Sequence, residues 1–169
     1  FVVDTDGFET AMEEQRERSR SARASETDII LQRAVKPIQS LFVGYEFLEY
    51  ESEVLGIFNE QGEVQNAKTG EQVAVVVAET PFYAECGGQV GDSGSISSNN
   101  AALEVLDTQK TGGDTIVHIC LVSDGAISKG DRVRLDVNKE RRKRIAANHS
   151  ATHLVHLALR EVLGTHVKQ

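Results

Sequence analysis

The sequence predicts an α+β fold in three parts: a helical N-terminal linker, a small antiparallel β-barrel, and a C-terminal helix. Three observations support this. Residues 8–36 are rich in helix-forming residues and contain neither Gly nor Pro. From residue 42 the chain changes to short β-rich runs separated by glycine-containing turns. After Asn138 the apolar residues return to a helical period.

The first part is a linker over residues 1–41. We expect one or two helices here, with a break near "ASET", before Pro37 ends the pattern. The first half is mostly charged, as in a solvated connecting helix rather than a core helix.

The second part, residues 42–137, carries the barrel. Its strands are predicted at five runs: "EVLGIFN", "QVAVVVAE", "LEVLDTQ", "DTIVHICLV" and "RVRLDVN". Segments such as "KTGEQ", "KTGGD" and "SKGD" lie between them and supply the glycines that tight turns require. Short strands at this spacing favour an antiparallel sheet closed into a small barrel.

The third part, residues 138–169, differs from the rest in charge. It holds seven Lys or Arg against two Glu, a formal charge of +5, so the preceding residues carry −13 of the total of −8. Five of these cations lie in "KERRKR", residues 139–144. This run is either a solvated helix end or a phosphate-binding surface, with Arg141 and Arg144 as the candidate contacts.

A helix after Asn138 would bring His149, His153 and His156 onto one face, within about 60° of each other. The i, i+4 spacing of His149 and His153 suits two ligands of one zinc ion. The alternative is a pair of hydrogen-bonded histidines without metal, because zinc needs a third and usually a fourth ligand. The metalloprotease pattern HExxH does not fit, since Ser150 stands where its Glu belongs.

The glycine-rich stretch "TPFYAECGGQVGDSGSI", residues 80–96, lacks the lysine of a phosphate-binding P-loop and the G-x-G-x-x-G of a dinucleotide site. We interpret it as a hairpin in which Gly87 and Gly88 let the backbone approach a ligand beside Gln89. Cys86 has no neighbouring His in sequence to activate it, so we do not expect it to be a nucleophile.

The longest purely apolar run, "VAVVVA", is far shorter than the roughly 20 residues that span a membrane. No membrane partner is expected. The chain has two cysteines, Cys86 and Cys120, and so low a count favours a reducing compartment, so we expect a cytoplasmic protein. The first residues do not reveal the targeting, and an organellar location stays open.

Three segments, in this order, resemble the alanyl-tRNA synthetase family: "DTDGFETAMEEQRERSR", "TPFYAECGGQVGDSG" and "NHSATHLVHLALREVLGTHVKQ". The resemblance covers essentially the whole chain. It implies a segment that runs from the end of the tRNA-recognition region, through a β-barrel, into the start of an editing domain truncated after its first helix. In that family the editing domain hydrolyses tRNA(Ala) mischarged with serine or glycine.

The resemblance also implies residue roles. His149 and His153 match the first half of the family's zinc set, whose other half is a downstream Cys-x-x-x-His motif not found before Gln169. Gln89 matches a glutamine associated with the editing pocket, and we expect it to be catalytic. The parent enzyme would use ATP and magnesium to join alanine to tRNA(Ala). Two alternatives remain: a tRNA-facing scaffold without activity of its own, and a relative of the free-standing editing hydrolases.

Overall fold

The computed structural model describes Met12, residues 38–111 and residues 115–168. Met12 is helical. The rest of the linker prediction for residues 8–36 falls outside the described residues.

A six-stranded antiparallel barrel forms the body of the protein. Around the barrel the strand order is β2, β10, β7, β8, β9, β5 and back to β2, and every pairing is antiparallel. Strand β3 extends the sheet beyond β2, β4 pairs with β9, and β1 pairs in parallel with β6. The strands are β1 (Leu41–Phe42), β2 (Glu49–Asn59), β3 (Gly62–Val64), β4 (Asn66–Lys68), β5 (Gln72–Val77), β6 (Glu79–Thr80), β7 (Gly94–Ser97), β8 (Ala101–Thr111), β9 (Thr115–Ser128) and β10 (Arg132–Val137).

Strand β5 shows why the barrel holds together. Its residues from Val73 to Val77 are all buried, so neither face of the strand meets solvent. Val73, Val75 and Val77 belong to the barrel interior, whereas Ala74 and Val76 pack in a second cluster on the outside of the barrel. The near-continuous apolar run is therefore explained by burial on both faces. All five predicted strand runs are confirmed as strands.

Strand β7 was not predicted, because it lies inside the glycine-rich stretch that we read as a hairpin. The first residue of β7 is Gly94, and the neighbouring strand explains why this position is a glycine. A Cβ atom at that position would lie 2.1 Å from the backbone oxygen of Asp136 in the neighbouring strand. The glycine thus serves close strand packing, which a local pattern does not reveal.

One helix, α1 (Lys139–Leu163), follows the barrel as predicted. Asn138 caps its start, with its side-chain oxygen 2.9 Å from the backbone N–H of Arg141. Gly164 ends the helix with φ of 108°, and its N–H donates to the Arg160 carbonyl. No residue of α1 is buried, and Val162 near its end is 81% exposed. Among the described residues no helix is long and apolar enough to cross a membrane.

Candidate functional site

An open cleft of about 410 Å³ lies between the glycine-rich hairpin and α1. Residues 87–90 form one wall, and the facing wall consists of Ile145, Asn148, His149, Thr152 and His153. The sequence-predicted Gly87, Gly88 and Gln89 therefore meet His149 and His153 in one place.

Two neighbouring strands bring these walls together. The hairpin leads into β7, and α1 continues directly from β10. Because β7 and β10 are antiparallel neighbours, the start of one lies beside the end of the other, with Gly94 paired to Val137. One step further, the N–H of Asn138 donates to the Ser93 carbonyl at 2.9 Å. The hairpin and the helix thus emerge side by side from the same end of the barrel.

The hairpin turn is tight. Cys86 and Gln89 exchange two backbone hydrogen bonds, of 3.2 Å and 3.0 Å. Gly87 and Gly88 between them have φ of 59° and 83°, as a two-residue turn requires. A Cβ at either glycine would meet no atom within 4 Å. The turn conformation therefore accounts for both glycines. The polar side chain that this wall contributes to the cleft is that of Gln89, which is half-buried.

On the facing wall, the Nε2 atoms of His149 and His153 are 3.3 Å apart and the ring centroids 5.0 Å. This separation allows one ring to donate a hydrogen bond to the other. It also matches two vertices of a tetrahedral zinc site, since Zn–N bonds of about 2.0–2.1 Å place two ligand nitrogens about 3.3 Å apart. Within the described parts of the chain no third His, Cys, Asp or Glu completes a metal-binding group. The pair fits half of a zinc site.

Two further residues with metal-ligating side chains, His118 and Cys120, lie inside the barrel. His118 is fully buried, with Nδ1 2.9 Å from the Val75 carbonyl and Nε2 2.8 Å from the Thr80 hydroxyl. Burial lowers the pKa of His118 from 6.5 to about 4, so the ring is neutral at pH 7. Burial also raises the pKa of the Cys120 thiol. Cys120 is a free thiol in the core, and Cys86 is a free thiol exposed on the hairpin.

The basic run at the start of α1 divides into inward and outward residues. Arg142 points inward: it forms an ion pair with Asp92, which is 1% exposed, and donates to the carbonyls of Gly44 and Pro81. Arg141 donates to Ser93 Oγ and to the Gly91 carbonyl, both at 3.2 Å. Two of the five N–H groups of Arg141 are thus engaged by the protein itself.

Lys139, Lys143 and Arg144 lie toward solvent. Lys139 Nζ is 2.5 Å from a carboxylate oxygen of Glu49, and this hydrogen bond lowers the pKa of the Glu49 carboxyl. Arg144 is exposed on the outer side of the first turns. Sequence reasoning missed Arg142, because its partner Asp92 lies 50 residues away and no local pattern connects the two.

The chain belongs to the class II (A) tRNA synthetases, whose family model matches residues 1–141. Within that class it is 44% identical to the alanine–tRNA ligase of Nitrosospira multiformis over the whole chain. It is likewise 44% identical to the alanine–tRNA ligase of Rhizobium meliloti over 99% of the chain. The chain spans 19% of the length of each of these relatives. The resemblance to alanyl-tRNA synthetase that the three sequence motifs predict is confirmed.

Proposed function

We propose that this segment forms one side of a tRNA-editing site in an alanine–tRNA ligase, and that the cleft between the glycine-rich hairpin and α1 receives the mischarged end of tRNA(Ala). The observation that carries the proposal is the meeting of Gln89 with His149 and His153 across a single cleft. These residues come from positions 60 and more apart in the sequence, so a local motif does not explain their convergence.

The cleft suits hydrolysis of an aminoacyl ester. A side-chain amide both donates and accepts hydrogen bonds, so Gln89 can orient a water against the ester without changing its charge. The exposed turn at Gly87 and Gly88 leaves room for the terminal nucleotide to approach the backbone. His149 and His153 would supply two ligands to a zinc ion, whose chemistry is to polarise a bound oxygen. The remaining ligands would come from a further part of the parent protein.

Two arginines near the start of α1 would hold the RNA backbone. Arg144 is exposed beside the cleft-lining Ile145 and is the main candidate for a phosphate contact. Arg141 retains three N–H groups beyond its two bonds to the hairpin, and we propose it as a second contact. In the parent, ATP, magnesium and alanine would serve the ligation reaction at a site outside this segment.

The test uses the full-length protein and serine-charged tRNA(Ala). Gln89→Ala is expected to slow serine release by about ten- to a thousandfold, as loss of a positioned donor does. Alanine activation should stay unchanged, because that reaction would take place elsewhere. His149→Ala combined with His153→Ala should also lower the bound zinc, measured by elemental analysis after dialysis. Undiminished serine release, or an equal fall in alanine activation, would remove Gln89 from the site.

A second candidate is a scaffold that holds the catalytic domains of the parent apart and faces tRNA without reacting with it. The favouring observation is that, in the part of the chain that the structure describes, no third metal-ligating side chain lies with His149 and His153. The same variants separate the two functions. A scaffold predicts that Gln89→Ala leaves serine release unchanged in the full-length protein.

A further inference from the structure

A socket for one arginine lies beside the first turn of α1. Three segments build it: the carbonyls of Gly44 and Pro81 and the carboxylate of Asp92 all accept hydrogen bonds from Arg142. Gly44 and Pro81 approach so closely that a Cβ on Gly44 would lie 2.2 Å from the Pro81 oxygen. Four of the five N–H groups of the guanidinium are used, counting two bonds from Nη2.

Asp92, the acceptor at the centre of this socket, is itself held in place by hydrogen bonds. The Tyr83 N–H donates to Asp92 Oδ2 at 2.7 Å, and the Asp92 N–H donates back to the Tyr83 carbonyl at 2.9 Å. The Thr108 hydroxyl of β8 donates to the Asp92 carbonyl at 2.9 Å. Asp92 lies three residues after Gln89, so what holds Asp92 also holds the base of the hairpin.

Arg142 lies on the same stripe of α1 as the two histidines. At 100° per residue, His149 is offset from it by about −20° and His153 by about +20°. They lie about 10 Å and 16 Å further along the helix axis. A tilt of about 10° at the first turn would therefore move His153 by about 3 Å, several times the roughly 0.5 Å tolerance of a preorganised site.

Within the described residues, the hydrogen bonds and ion pairs between α1 and the barrel come from the first turn of the helix. Besides Arg142, these are the capping residue Asn138, the exposed ion pair of Lys139, and Arg141. Among them Arg142 has the most bonds and its side chain is 17% exposed, with the partner carboxylate at 2%. A pair shielded from water in this way is less weakened by salt than the exposed pair of Lys139.

We propose that Arg142 is a positioning residue for the editing site: its clasp on Gly44, Pro81 and Asp92 sets the orientation of the histidine stripe against the Gln89 hairpin. Arg142 therefore acts within the protein and not on RNA, unlike the neighbouring Arg144. The proposal rests on the proposed editing function for its catalytic consequence. Its geometric consequence is independent of that function.

The kinetic test measures serine release from charged tRNA(Ala) by the full-length protein. Arg142→Met is expected to lower kcat about a hundredfold, as a misplacement of about 1 Å does, with KM unchanged within about twofold. Arg142→Lys keeps the charge but loses the planar guanidinium with its forked set of N–H donors, so kcat should stay well below that of wild type. The matched control is Lys143→Met, which removes an exposed cation from the next position and should leave both constants unchanged. A rise in KM with kcat intact, or full activity in Arg142→Lys, would overturn the positioning role.

A double variant separates positioning from stability. Arg142→Met alone leaves the Asp92 carboxylate buried without its cation, and Asp92→Asn in the same protein removes that charge. We expect the melting temperature of the double variant to recover toward wild type while kcat stays low. If kcat recovers together with the melting temperature, the arginine serves stability alone and the proposal is wrong.

Hydrogen exchange followed by mass spectrometry tests the geometry without any reaction. In Arg142→Met, the amides of residues 86–92 and 139–149 should exchange faster than in wild type and in Lys143→Met. Exchange rates in these segments that match those of wild type would overturn the proposal that Arg142 holds the helix to the hairpin. If wild type releases no serine, the editing function fails, and the exchange result still decides whether Arg142 holds the helix to the hairpin.

Discussion

Buried His118 gives the barrel a stability that depends on pH. Its ring is neutral in the core: Nδ1 donates to the Val75 carbonyl, and Nε2 accepts from the Thr80 hydroxyl, which in turn accepts from the Phe82 N–H at 3.1 Å. The Phe82 ring packs edge-on against the imidazole, with centroids 5.2 Å apart. A proton on Nε2 would place a charge in this apolar enclosure, which is why burial lowers the pKa to about 4.

The sign of the effect follows from proton binding in the two states. In the unfolded chain His118 binds a proton below its ordinary value of 6.5, whereas in the folded chain it does so only near pH 4. Between these values the unfolded state binds more protons, so the free energy of unfolding rises with pH. The contribution is fully present above pH 6.5 and is lost as the pH falls toward 4. Its total is about 3 kcal/mol, with a slope of at most about 1.4 kcal/mol per pH unit.

The assay is urea unfolding of the chain between pH 4.5 and 7.5, followed by circular dichroism. Carboxylates also titrate in this range, so the informative quantity is the difference between wild type and His118→Gln, which carries no titrating group at this position. That difference should shrink by about 1–3 kcal/mol as the pH falls from 7 to 4.5. His166→Gln, which replaces an exposed histidine of the C-terminal segment, is the matched control. A wild type and a His118→Gln variant that lose stability in parallel would refute the reasoning.

Two further predictions follow from the turns and the basic surface. Gly125 and Gly130 both have positive φ, of 73° and 88°, but a Cβ on Gly125 would lie 1.9 Å from the Asn100 carbonyl oxygen whereas Gly130 faces open space. Gly130→Ala should cost about 1–2 kcal/mol and Gly125→Ala clearly more in urea unfolding; equal costs would contradict the close approach at Asn100. For the RNA surface, Arg144→Ala in the full-length protein should lower the salt dependence of tRNA binding by about one unit of slope, and an unchanged slope would make Arg144 a solvated helix end.

The parts of the fold predicted from sequence are those that local physics determines. The existence of helix α1 after Asn138 was predicted, because the helical period of the apolar residues is a local signal. The five strand runs were found for the same reason. The closure of the barrel was inferred only from the fold class. The pairing of β10 with β2 that closes it joins residues about 80 positions apart, so no local sequence pattern indicates it. Strand β7 was missed because its glycine is required by Asp136, a residue on another strand.

The candidate site divides in the same way. The spacing of His149 and His153 is a helical signal, and the 3.3 Å between their Nε2 atoms follows from it. The basic run is visible in the sequence as well, but the sequence does not show which of its residues face the barrel and which face solvent. Arg142 and Arg144 are the same residue type two positions apart, and a helix turns about 200° between them. Which of the two faces the barrel depends on where the barrel places Asp92.

The topology of the barrel gives the strongest reason to treat the cleft as a built site. The hairpin that carries Gln89 enters β7 at Gly94, and α1 leaves β10 at Val137, the residue paired with Gly94. Any sequence that keeps these two strands as antiparallel neighbours must bring the hairpin and the helix out at the same end. What the topology leaves undetermined is the angle between them, because α1 has no buried residue along its length to fix its direction. An arginine bonded to three separate segments supplies that missing constraint, and it lies on the stripe of the helix that carries the histidines.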